Sequence, residues 1–273
     1  MTAKLDHLVL PVADLATARA RLIQLGFIVA PDARHPFGTA NACVYMGNGS
    51  YLEPLAVADA EAAAQAIRAG NVFVARDHVF RAVIGEEGVS AFILASDDAE
   101  ADHARYLAAQ ISAGEMLNFS RPFVDASGKS DMATFRLAFA GSPEIADAFA
   151  CACERVNAPN VDRSALTGHA NGVRSIARLV VNPDADAYLR LAGQMAGEIA
   201  DFSLSVEGGE WTERDQRTIQ AIVFRVAELD ATERLLEAAK VDFRRGPVQI
   251  VVPPAPGQGV HFVFEDESNV RPD

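Results

Sequence analysis

The chain has 273 residues, half of them apolar and 22% charged, with a formal net charge of −13. That composition is globular, with ample core for one large or two ordinary domains. No basic patch stands out to neutralise phosphates, so nucleic acid is not an expected partner, and anionic lipid finds no docking surface.

The three cysteines, Cys43, Cys151 and Cys153, are an odd count and make no disulfide framework. The C-x-C pair can bind metal, or it can simply pack in a buried strand. No apolar run reaches the roughly 18 residues needed to span a membrane. The start, Met1-Thr2-Ala3-Lys4, runs into the first strand with no charged-then-apolar leader. A reduced, cytoplasmic setting is the expectation.

In chain order, residues 4–12 read as a strand with His7 near its start. Asp14 is placed to cap a helix over 15–25, where Ala18, Leu22 and Leu25 recur at helical spacing and Gly26 ends the run. Residues 27–29 restart as a strand, 34–41 form a loop, and 42–46 form a strand. Gly47-Asn48-Gly49 is a hairpin turn into the strand 50–57, which carries Glu53. In a strand side chains alternate faces, so Tyr51, Glu53 and Leu55 share one side, as do His7 and Val9. If the opening and closing strands lie side by side, His7 and Glu53 meet on the concave face. An imidazole and a carboxylate aimed at one point are raw material for a divalent metal site.

An Ala-rich helix over 59–70 connects to a second unit. It has a strand at 89–95, a helix from Asp97-Asp98 to about Ile111, and strands at 116–123, 133–139 and 148–156, with a polar hairpin tip at 125–129. After His169-Ala170-Asn171-Gly172 a compressed third unit predicts a strand at 175–181, a helix at 183–195, a strand at 201–206 and a Gly208-Gly209 turn. A fourth predicts a strand at 220–226, a helix at 230–239, and strands at 248–252 and 260–265. Four units, each opening strand–helix–strand, are an internal repeat by pattern.

Repeated βαβββ units, with the stretches L-D-H-L-V-L-P-V-A-D-L, R-H-P-F-G-T-A-N, G-N-G-S-Y-L-E-P-L and H-A-N-G-V, resemble the glyoxalase-like branch of the vicinal oxygen chelate superfamily. The likeness covers about the first 180 residues. It implies an α+β fold of tandem βαβββ modules forming glyoxalase/bleomycin-resistance/dioxygenase-like half-barrels. The implied domains are 1–168, with modules at about 1–58 and 88–157, and 169–273, a second glyoxalase-like domain of two shorter modules. Paired-unit proteins of this type commonly dimerise, so a homodimer is expected.

The resemblance also implies a divalent metal ion (Zn, Fe, Mn, Ni or Co) held by the opening and closing strands. Its ligands would be His7 and Glu53, with Glu154 from the second unit, whose opening strand has no histidine, and His169 from the loop that follows it and could fold back. Glu53 or Glu154 would act as catalytic base if free of the metal. Bland readings stand beside these: His7 paired only with Glu53, Glu154 in a surface ion pair, and His169 as a turn residue.

For substrate binding, His35 and Asn41 sit in the loop over the barrel mouth, or merely stabilise it. Arg121 and Arg136, on facing strands, either grip a substrate carboxylate or pair with the acidic surface. His78, His103 and His261 have no partner pattern and read as surface or structural.

Three functions compete. The first is a metal-dependent lyase, isomerase or epimerase acting on a small oxygenated metabolite through a chelated enolate or oxyanion. The second is a non-enzymatic binding protein of the resistance type, with an apolar cleft and His7 held by Glu53. The third is an extradiol dioxygenase, ranked last because the strands opening the third and fourth units carry no histidine.

Overall fold

The computed structural model describes residues 3–124, 130–157, 162–206 and 217–266. The tip expected at 125–129 and the Gly208-Gly209 turn lie outside them. The first module holds β1 (Ala3–Pro11), α1 (Leu15–Gln24), β2 (Ala33–Arg34), β3 (Thr39–Asn41), β4 (Val44–Tyr45) and β5 (Tyr51–Val57). Two helices follow, α2 (Ala60–Arg68) and α3 (Val72–Val83). The second module holds β6 (Ala91–Ser96), α4 (Ala99–Ala108), β7 (Leu117–Val124), β8 (Ser130–Ala140) and β9 (Phe149–Asn157). The third has β10 (Val173–Val181), α5 (Asp186–Met195), β11 (Ile199–Ala200) and β12 (Ser203–Val206). The fourth has β13 (Ile219–Val226), α6 (Leu229–Ala238), β14 (Arg244–Arg245), β15 (Gln249–Val252) and β16 (His261–Asp266). This is the tandem βαβββ architecture, with sheets curled into half-barrels.

Asp14 caps α1 as the sequence indicates, its side chain accepting from Thr17 N. Three local features differ from the reading. Residues 27–29 form no strand, because side chains occupy their backbone groups: His169 Nδ1 accepts from Ile28 N, and Arg19 donates to Val29 O and Ala30 O. The strand expected at 42–46 shortens to β4, and the stretch 34–41 expected as a loop carries β3. Pro54 of β5 has no N–H to give that ladder, although its carbonyl accepts from Ala42 N. Helix α3 was not anticipated. Asn71 caps it, and Phe73, Val74, Asp77 and Phe80 form its buried face.

Among the described residues the first sheet runs β2-β3-β5-β1-β6-β9-β8-β7. Within each module the opening and closing strands pair in parallel, β1 with β5 and β6 with β9, while β1 and β6 meet antiparallel at the centre. The second sheet, β12-β10-β13-β16-β15-β14, repeats the plan in shorter form.

One core spans both sheets. Leu8, Leu10, Leu22, Phe92 and Leu94 of the first half share it with Tyr188, Phe224, Phe262 and Phe264 of the second. Tyr188 also donates its hydroxyl to Phe149 O, 2.9 Å away. The concave face of the first sheet has its own apolar layer, which includes Val9, Leu55, Ile93, Leu137, Phe139 and Cys153. Burial on both faces explains why β1, β6 and β9 read as near-continuous apolar runs. No helix among the described residues is long and apolar enough to cross a membrane.

Gly38 fixes the loop that carries His35. Its φ is +89°, and a Cβ there would lie 2.5 Å from both Ala63 N and Asp59 O. Only glycine fits a backbone pressed this closely on the start of α2.

Candidate functional site

The strand register builds the site. His7 pairs with Tyr51 and Val9 with Glu53 across β1 and β5, so His7 and Glu53 are diagonal neighbours on the concave face. His7 Nε2 lies 3.4 Å from Glu53 Oε2, and both residues are buried. The other ring nitrogen, Nδ1, is 2.6 Å from Asp6 Oδ1. Neighbours along a regular strand face opposite ways, but here the register with β6 shifts between Leu5 and His7. The extra residue re-aims Asp6 toward the imidazole, as β-bulges do. Arg155 Nη2 donates to the same Asp6 oxygen at 2.7 Å. Tyr51 stacks on His7 with ring centroids 4.4 Å apart.

Glu53 is held on its other side by the loop after β2. Asn41 Nδ2 donates to Oε1 at 2.5 Å, and His35 Nε2 lies 3.7 Å from that oxygen. His35 Nδ1 reaches Thr39 Oγ1 at 2.8 Å.

The charges follow from these contacts. Burial alone would raise the Glu53 carboxyl, but the hydrogen bond and charge of His7, with His35 and Asn41, outweigh it and hold it at about 2. Asp6 is likewise held at about 2 against its burial, by His7 and Arg155. Burial would lower His7, yet its two carboxylate partners raise it above its ordinary value. His35, driven by burial and opposed mainly by Glu53, falls to about 4 and is neutral near pH 7.

His7, His35, Tyr51 and Glu53 line a cavity of about 40 Å³, walled by Phe37, Phe73, Ile93, Phe119, Phe135 and Leu137, with Arg121 and Cys153 on its lining. One water needs roughly 10–15 Å³ of such space, so the ligand it admits without widening is small. Phe119 stacks on Phe135 at 5.1 Å and meets Phe37 edge-on at 5.2 Å. Phe73 comes from α3, and Asp6, Tyr51, Arg155 and Cys153 were also absent from the expected site. An alternation count along β9 could have found Cys153, but the bulge at Asp6 leaves no signature in sequence.

Of the expected site residues, His7, Glu53, His35, Asn41 and Arg121 come together, and three do not. On β9 the inward position falls to Cys153, and Glu154 faces the other way. Its Oε2 accepts from Ala99 N at the start of α4, and its Oε1 is 3.8 Å from Arg136. Arg136 pairs across the hairpin with Asn118, whereas Arg121 pairs with Ala133, an odd offset that puts the two arginines on opposite faces. Arg136 instead meets Glu100 and Glu154 at the surface. His169 is outside the pocket, with both ring nitrogens on backbone: Nδ1 accepts from Ile28 N, and Nε2 is 3.0 Å from Tyr45 O.

The same register tests the donor set for a divalent ion. The second-module residue in His7's place is Ile93, which pairs with Cys151 as His7 pairs with Tyr51. The residue in Glu53's place is then Cys153, two positions on. Its thiol is pushed far above its ordinary value by burial and by the carboxylates of Asp6 and Glu53. Among the described residues no group of three or more His, Cys, Asp or Glu is arranged to hold a metal ion. His7 and Glu53 supply half of a four-ligand centre and the second module adds only the buried Cys153 thiol, not arranged with them to hold an ion, so the described residues do not fit a resident divalent ion.

Tandem modules, parallel opening and closing strands, and an inward His–Glu pair define a vicinal oxygen chelate fold. Residues 5–196 match the family model described as a glyoxalase-like domain, and the chain belongs to that family. No curated protein sequence matches it.

Solved structures resemble it in fold at low identity. A hypothetical protein from Staphylococcus aureus is 14% identical with a TM-score of 0.61, over 97% of this chain and 100% of that one. A mutant of 4-hydroxymandelate synthase from Streptomyces coelicolor is 13% identical with a TM-score of 0.65, over 100% and 94%. A xylose isomerase-like TIM barrel/4-hydroxyphenylpyruvate dioxygenase fusion protein is 12% identical with a TM-score of 0.56, over 100% of this chain and 50% of that one.

Proposed function

We propose that this glyoxalase-like protein binds a small organic molecule in the cavity of its first sheet, as a ligand-sequestering member of the superfamily. One observation carries the reading: Glu53 holds His7, 3.4 Å apart, in a cavity whose other walls are mostly aromatic and aliphatic. A metal centre draws on those same lone pairs, and in the matching positions Ile93 offers no donor and Cys153 only a buried thiol. Electrostatics favour binding over proton abstraction. A carboxylate held at about 2 lies far below neutrality and is a weak base toward carbon acids.

A second reading, a lyase or isomerase working by proton transfer, has one observation in its favour. Asp6 and Glu53 raise His7 against its burial, which favours its protonated form at the cavity wall and a role as general acid.

Ligand-observed NMR with a library of small acids, amides, ketones and alcohols tests the proposal, using wild type and His7→Ala. The expected result is a set of compounds that compete for one site, weaken in the variant, and are recovered unchanged. Absence of any such compound, or conversion of the bound compound by wild type alone, overturns it.

A further inference from the structure

Among the described residues every charged group around the cavity has an ion-pair partner except one. Asp6 is matched by Arg155 at 2.7 Å and Glu53 by His7 at 3.4 Å. Arg121, on the cavity lining, has its Nη1 buried with no hydrogen-bond partner among the described residues. Its guanidinium lies over the Phe135 ring, 5.7 Å from the centroid. A buried guanidinium nitrogen with no acceptor is costly. Arg121 is thus the cation left without a hydrogen-bonded carboxylate among the described residues around the cavity, and Phe119 and Phe135 stand beside it as an apolar wall.

The expected partner across the hairpin, Arg136, is on the other face and is engaged by Glu100 and Glu154. The anion would therefore meet one guanidinium rather than two, which suits a monoanion. Carboxylate geometry matches the guanidinium fork.

We propose that Arg121 is the anchor of the cavity and that its ligand class is small monocarboxylates with a short apolar or aromatic body. The inference rests on the binding function proposed above and narrows it. The carboxylate accepts from Arg121 Nη1, and its body lies against Phe119 and Phe135. No bond is made or broken.

Isothermal titration at neutral pH with acetate and acetamide, and with benzoate and benzamide, tests this on wild type, Arg121→Gln and Arg121→Lys. In each pair the two compounds share a shape and differ in charge. The wild type is expected to bind at least one carboxylate roughly 10- to 100-fold more tightly than its amide, the worth of a charge-assisted hydrogen bond. Arg121→Gln loses that preference while keeping amide binding. Arg121→Lys keeps part of it, and a melting curve like the wild type's shows that the variants fold. Equal binding of acid and amide by wild type, or an undiminished preference in Arg121→Gln, overturns the carboxylate assignment and leaves the binding function standing. No binding of any of the four probes overturns the assignment and counts against the binding function as well.

Discussion

His7 of β1 and Ile93 of β6 are direct partners across the antiparallel junction of the two modules, and they occupy equivalent places in them. One module presents an imidazole at that place and the other presents a butyl side chain. At this pair of positions the concave face is polar on the first-module side and apolar on the second, where Arg121 of β7 is the charged group on the cavity lining.

That asymmetry is testable by removing it. Ile93→His with Cys153→Glu restores a donor pair in the second module. We expect the double variant to melt at a lower temperature than wild type in the absence of added ions, because it buries unmatched polar groups at a cost of about 1–3 kcal/mol each. Zinc or manganese should then raise its melting temperature and leave that of wild type unchanged. Equal responses of the two proteins would contradict the register assignment.

Glu53→Gln removes the carboxylate between His7 and His35. Breaking a buried pair leaves an uncompensated partner, although His7 keeps Asp6 and can release its proton. The expected destabilisation is about 1–3 kcal/mol, read by urea denaturation. The His7 imidazole should titrate at a lower pH than in wild type, read by NMR of the histidine ring protons. An unchanged titration would show that the pair is not formed in solution.

His169 serves as the contrast. It ties Ile28 N to Tyr45 O and packs edge-on against Phe27 at 5.3 Å. His169→Ala should destabilise by about 1–3 kcal/mol, through two orphaned backbone groups, and leave binding at the cavity intact. Loss of ligand affinity in a folded His169→Ala protein would assign this histidine to the site.

Stability should fall in acid in two stages. His35 is depressed to about 4, so the unfolded chain takes up its proton first, and the contribution is lost as pH drops from about 6.5 to 4. Asp6 and Glu53, both near 2, contribute above the ordinary carboxylate range, and that contribution is lost as pH falls from about 4.5 to 2. His7 has the opposite sign. Its raised value adds stability that is complete below about 6.5 and fades as pH rises through its folded value. Thermal melts from pH 2.5 to 8 check the signs, and His35→Asn should flatten the first stage alone.

The repeat and the α1 cap are legible in the sequence because they rest on local periodicity, and the His7–Glu53 meeting follows once the repeat sets β1 beside β5. The errors came from parity and from long-range contacts. Glu154 and Cys153 are one residue apart in a strand where one residue changes the face, and the acidic side chain is on the outward one. Arg121 and Arg136 look alike in sequence, and only the hairpin register separates them. His169 resembled a ligand because imidazoles serve structure and chemistry equally well. Its partners, Ile28 and Tyr45, are more than a hundred residues away in sequence.

The most direct test of the central claim is the metal content of wild-type protein by elemental analysis, after purification without chelator or metal-affinity resin. The expected content is far less than one equivalent of Zn, Fe, Mn, Ni and Co combined, in wild type and in His7→Ala alike. Near one equivalent of a single metal in wild type, lost in His7→Ala, would contradict it and restore a metal-dependent reaction at His7.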